Sequence, residues 1–130
     1  MTVGLNASVA NSLLNALFRA TNYTAPTAVW VKLHIGDPGA AGTSNPAANT
    51  TRVQGTFGTT ASGGAIANTA ALDWTNVPNS EDYSHASVWD ANAAGNFLWS
   101  GVITANAVTA GDNFQIAIGA LTANLTPIAA

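Results

Sequence analysis

Between Ser84 and Ile103, two runs rich in aromatic and β-branched residues flank a short linker of small residues. They read Ser-His-Ala-Ser-Val-Trp-Asp, then Ala-Asn-Ala-Ala-Gly, then Asn-Phe-Leu-Trp-Ser-Gly-Val-Ile. This pattern predicts a β-hairpin whose loop spans a few residues and contains glycine. It carries Trp89 and Trp99, two of the four tryptophans in the chain. The rest of the chain reads as strands gathered around it.

Ahead of the hairpin, Leu5, Val9, Leu13 and Leu17 recur every four residues, and Leu14 and Phe18 widen the stripe. That spacing marks one apolar face of a helix over about Ser8 to Ala20. Asn6 or Ser8 serves as its N-cap, and Arg19 near its end suits the helix dipole. The expectation is that it lies against a sheet with Leu13, Leu17 and Phe18 buried. Ala28 to Ile35 then alternates. Val29, Val31, Leu33 and Ile35 point one way, and Trp30, Lys32 and His34 the other, as in a strand with one core face. Gly36-Asp37-Pro38-Gly39 ends it with turn chemistry.

Ala40 to Thr51 is small, polar and without periodicity, and reads as a long exposed loop ordered by a neighbouring subunit. Short strands follow at Arg52–Phe57 and Ile66–Trp74, then at Phe114–Ile118 after the hairpin and at Leu121–Leu125. Turn signals at Thr59–Gly64, Asn76–Pro78 and Thr109–Asn113 separate them. No repeat and no linker divides the chain, so residues 1–130 read as a single domain. The expected class is mainly β: a compact antiparallel β-sandwich or barrel-like domain with one N-terminal amphipathic helix.

Charge restricts the partners. Only 7% of the 130 residues are charged, against about 25% in ordinary soluble domains. A chain solubilised by Ala, Thr, Asn, Ser and Gly instead points to surface hidden in an assembly. The three basic residues, Arg19, Lys32 and Arg52, cannot build a face that neutralises phosphates, so nucleic acid is not an expected partner. There is no cysteine, which removes disulfides, thiolate catalysis and cysteine-based zinc sites. Neither a signal peptide nor a membrane helix is read at the N-terminus.

Candidate chemistry is sparse. His34 with Asp37, or His85 with Glu81, Asp82 and Asp90, offers metal-binding groups, but not in a ligand spacing that completes a site. Ser84 or Ser87 beside His85 lacks a nucleophile-elbow motif. Ser62-Gly63-Gly64 lacks the lysine of a phosphate loop. No cofactor, no catalytic residue and no enzymatic activity is expected. Trp30 and Trp89 lie on strand faces opposite the expected core, where an aromatic anchors a protein interface or stacks on a sugar.

The order of segments resembles a family of small tailed-bacteriophage virion proteins described as tail fibre or minor structural proteins. The resemblance rests on Ser12-Leu-Leu-Asn-Ala-Leu-Phe18, Tyr23-Thr-Ala-Pro26, Val31-Lys-Leu-His-Ile-Gly-Asp-Pro-Gly39, Arg52 and Ala61-Ser-Gly-Gly-Ala-Ile-Ala-Asn68. It continues through Val88-Trp-Asp90, Gly95-Asn-Phe-Leu-Trp-Ser-Gly101, Val108-Thr-Ala-Gly-Asp-Asn-Phe114 and Gly119-Ala-Leu-Thr122. Asn49-Thr-Thr51 stands where the family pattern has Gly-Tyr-Ala ahead of the arginine. The resemblance implies a non-enzymatic building block located in the virion. A chain without heptads or fibrous repeats suits capsid decoration, bound to the major capsid protein or other virion subunits. The alternative it implies is a tail fibre or tail-tip module; a carbohydrate-binding module with Trp30 or Trp89 as platforms is a separate reading of the residues. A homo-oligomer is expected, a trimer being one form, with no membrane partner. Expected interface residues are Met1, Thr2, Val3 and Leu5 at the N-terminus, Thr43, Asn45 and Pro46 in the long loop, and Trp30 and Trp89 on the sheet. Pro127 and Ile128 in the tail complete the set.

Overall fold

The computed structural model describes residues 3–128. Its chain order is β1 (Gly4–Leu5), α1 (Ala7–Arg19), β2 (Val29–His34), β3 (Val53–Gly55), β4 (Ala65–Ala67), β5 (Leu72–Trp74), β6 (Glu81–Trp89), β7 (Phe97–Val108), β8 (Phe114–Ile116) and β9 (Thr122–Asn124). The β6–β7 hairpin is the centre of a five-stranded antiparallel sheet ordered β1-β7-β6-β2-β3. Two antiparallel ladders, β4-β9 and β5-β8, cover one face of that sheet, as the shared core shows. The main sheet is open, with β1 and β3 at its edges; it does not close into a barrel.

The hairpin forms where the pattern places it and runs longer on both sides. Its turn is built from Asp90. The Asp90 carboxylate accepts from the Asn96 backbone N–H at 2.7 Å and from Asn96 Nδ2 at 2.8 Å. Ala94 and Gly95 take the left-handed conformations that reverse the chain. In the strands, Gly101 leaves room for the Trp99 indole to lie across it, so a glycine that would weaken a strand is covered by its aromatic neighbour.

Alternation in β2 sorts the residues as expected. Val31 and Leu33 are wholly buried and lie opposite Val88 and Ala86. They pack with Leu72, Trp74, Phe114 and Ile116 from the covering ladders. Phe114 organises this core, meeting Trp74 at 5.9 Å and Tyr83 edge-on at 5.0 Å between ring centroids. Ile35, expected on the same face, lies past the strand end and is exposed.

Three expectations need correction. The segment read as one strand from Ile66 to Trp74 is two strands in different ladders. Asn68 makes the corner between them. Its buried side chain donates to the Ala70 and Ala117 carbonyls at 2.9 and 3.0 Å and accepts from Leu121 N–H at 2.9 Å. Second, the loop 40–51 is ordered by its own chain. Ser44 N–H bonds the Pro38 carbonyl, Ala47 N–H bonds the Leu33 carbonyl, and the Glu81 carboxylate accepts from Ala48 N–H at 2.8 Å.

Third, α1 exists and is capped by Asn6, whose side chain accepts from Ser8 N–H at 2.9 Å. Yet none of its residues is buried. Leu13 is half-buried, while Leu17 and Phe18 are 74% and 76% exposed. Periodicity reports which face of a helix is apolar; it does not report what covers that face.

Candidate functional site

Two surfaces remain after the core is assigned: the second face of the main sheet, and the N-terminal edge that carries α1. The second face bears Trp30, Lys32 and His34 from β2 and, opposite them, Trp89, Ser87 and His85 from β6. The loop after β2 folds back over it. Gly42, at φ +72°, sits directly on the Phe97 ring; a Cβ there would come within 2.6 Å of ring carbons.

Beneath that loop lies a buried polar chain. Trp89 Nε1–H donates to Ser87 Oγ at 2.8 Å. Ser87 Oγ lies 2.7 Å from His34 Nε2, and His34 Nδ1 lies 2.8 Å from the Ser44 carbonyl oxygen. A carbonyl only accepts, so Nδ1 carries the proton and Nε2 accepts from the serine hydroxyl. Burial pushes the imidazole below its ordinary value, partly countered by the hydrogen bond to Ser44. His34 is therefore neutral, and both His34 and Ser87 are fully buried.

This serine–histidine pair joins two strands and a loop; it is not the Ser84/Ser87–His85 combination considered from the sequence. Ser84 does bond its neighbour His85, at 2.8 Å. Among the described residues, neither histidine has a carboxylate on its other ring nitrogen, and a sealed Ser87 meets no substrate. Among the described residues, no three His, Asp or Glu side chains come together in a geometry that could hold a metal ion.

Arg52 closes the same face. Its guanidinium lies 4.3 Å from the Trp89 ring centroid and donates through Nη1 to the Ala91 and Ala94 carbonyls at 2.8 and 2.7 Å. One cation thus pins the hairpin turn and covers the indole. Lys32 sits nearby, its ammonium pushed below the ordinary lysine range by partial burial and then by Arg52.

The expected interface residues separate accordingly. Trp89 is 7% exposed and packs on Phe97 at 5.5 Å, so it is a core wedge rather than a platform. Trp30 is half-buried beside it. Thr43, Asn45 and Pro46 are exposed on the covering loop, and Pro127 and Ile128 are exposed in the tail. Val3 and Leu5 are half-buried at the β1 edge, where Leu5 pairs with Trp99. Met1 and Thr2 lie outside the described residues.

At the N-terminal edge, β1 is paired to β7, and Asn6 N–H bonds the Leu98 carbonyl at 2.9 Å. From there α1 carries Leu14, Leu17 and Phe18 away from the body of the chain. Leu17 and Phe18 were expected in the core, with Leu13, and not at an interface. The apolar stripe was readable; that it faces outward was not, because no local signal distinguishes a helix packed on its own sheet from one offered to another chain.

Comparison with known proteins adds a family. The family model described as Podophage GP4 fiber I protein gp80 matches residues 4–124. That span runs from β1 through β9. No curated protein matches the chain.

Proposed function

The chain belongs to the podophage GP4 fiber I protein family, and from that membership we propose that it is a structural module of a phage fibre, working by subunit contact and not by catalysis. A role as a virion component follows from the family itself. The finer position on the particle is the proposal. The observation that carries it is the family match over nearly the entire folded unit. The open apolar face of α1 supports it, since a subunit built to be covered by another chain leaves such a face bare.

The sequence alone favoured capsid decoration, because a chain of this size without heptads is no fibre shaft. A compact β-sandwich also serves as the head, base or joint of a fibre, and the family description favours that position. A carbohydrate-binding role draws no support from Trp89, which is buried under Arg52.

Quantitative mass spectrometry of purified virions separates the positions. A fibre module appears in a small fixed number of copies and is lost with the fibres when they are sheared off. Copies in proportion to the shell subunits, retained on sheared heads, would return the chain to capsid decoration.

A further inference from the structure

Single exposed apolar side chains are ordinary on protein surfaces. Leu14, Leu17 and Phe18 differ because they stand at i, i+3 and i+4 of one helix and form a continuous ridge, 54%, 74% and 76% exposed. The same chain carries an uncovered hollow. Between the main sheet and the β4–β9 ladder lies an open groove of about 270 Å³, floored by Val29, Val88 and Trp99 and walled by Phe57, Ile66 and Leu121. Every side chain lining it is apolar. A cavity of about 150 Å³ already accepts a benzene-sized ring, so this groove has the volume for the Phe18 ring.

Building on the virion-subunit reading above, we propose that the α1 ridge of one copy docks into this groove on a second copy of the same chain. Both halves of the contact are present on a single polypeptide. Neither half carries a charge: the first charged residue of the chain is Arg19, at the last position of the helix, and the groove has none. Joining two uncharged surfaces buries no unpaired charge. The helix does not serve its own groove in this structure. Its start is fixed at the β7 edge by the β1 pairing and by the bond from Asn6 to Leu98, and its ridge points outward while the groove stays open. Each copy gives one helix and receives one, so the contact forms a reciprocal pair or a ring where the rotation closes, and a filament where it does not.

The chain has no cysteine, so a site-specific disulfide is unambiguous. Chains carrying Leu17→Cys are mixed with chains carrying Ala123→Cys, which lines the groove, and oxidised. The proposal expects a disulfide-linked pair containing one of each chain. It also expects wild-type protein to sediment as an oligomer, with Leu17→Asp weakening association by roughly thirtyfold or more while the near-UV tryptophan spectrum is retained. A disulfide formed only within a doubly substituted chain would show that the helix covers its own groove and would overturn the proposal. So would oligomers that give no mixed disulfide, or a wild-type chain that stays monomeric. These failures are separable from failure of the functional reading: a chain that does not cross-link but is present in purified virions loses this docking alone, whereas absence from virions removes the subunit role itself.

Discussion

Single residues hold this fold at points where backbone from distant segments meets. Asn68 satisfies three backbone groups from residues 70, 117 and 121 with one side chain. Asn68→Ala leaves them without that partner in a buried corner, and we expect a loss of about 3 kcal/mol, read as a lower urea midpoint at unchanged slope. Gly42 combines a left-handed backbone with ring contact. Gly42→Ala therefore costs about 1–3 kcal/mol, and the same denaturation series measures it. His34 sets a pH dependence. The fold holds its imidazole neutral, with a value lowered by burial, and Lys32 and His85 lie nearby. Below about pH 6.5 the unfolded chain takes up a proton that the folded chain refuses. Stability is thus full above that pH and declines as the pH falls toward the lowered value. Asp90, held below the usual carboxylate range chiefly by the Asn96 backbone N–H, adds a further loss at lower pH. Thermal midpoints across pH 7 to 4 should fall continuously, and His34→Gln should flatten the upper part of that profile.

At the scale of elements, what the sequence made legible was local. The β6–β7 hairpin follows from alternation in Ser84–Trp89 and Phe97–Ile103 and from turn residues between them. The helix follows from its four-residue spacing and the Asn6 cap. The β4/β5 corner was not legible, because the partners of Asn68 lie about fifty residues away. Nor was the order of the long loop, which depends on isolated bonds to Leu33, Glu81 and the Trp74 indole rather than on any periodic pattern. Strand β1 is two residues long and leaves no period to detect. The helix also ends under strain: Ala20 takes φ 52°, a conformation better suited to glycine. Ala20→Gly should stabilise the helix end by about 1 kcal/mol, visible as added helical circular dichroism and slower amide exchange in residues 15–20.

At the scale of the whole molecule, the low charge and the bare helix point the same way. A helix of 13 residues is marginal in water without packing, and the proposed docking would supply that packing from another chain. Such assembly would stabilise the subunit by mass action, so the thermal midpoint is expected to rise with concentration. The proposed function requires the chain to be a fibre subunit of the particle. Immunogold electron microscopy of intact virions, with an antibody against the folded domain, tests this most directly. Gold confined to the fibres is the predicted result, and gold spread evenly over the shell, or none on the particle, would contradict it.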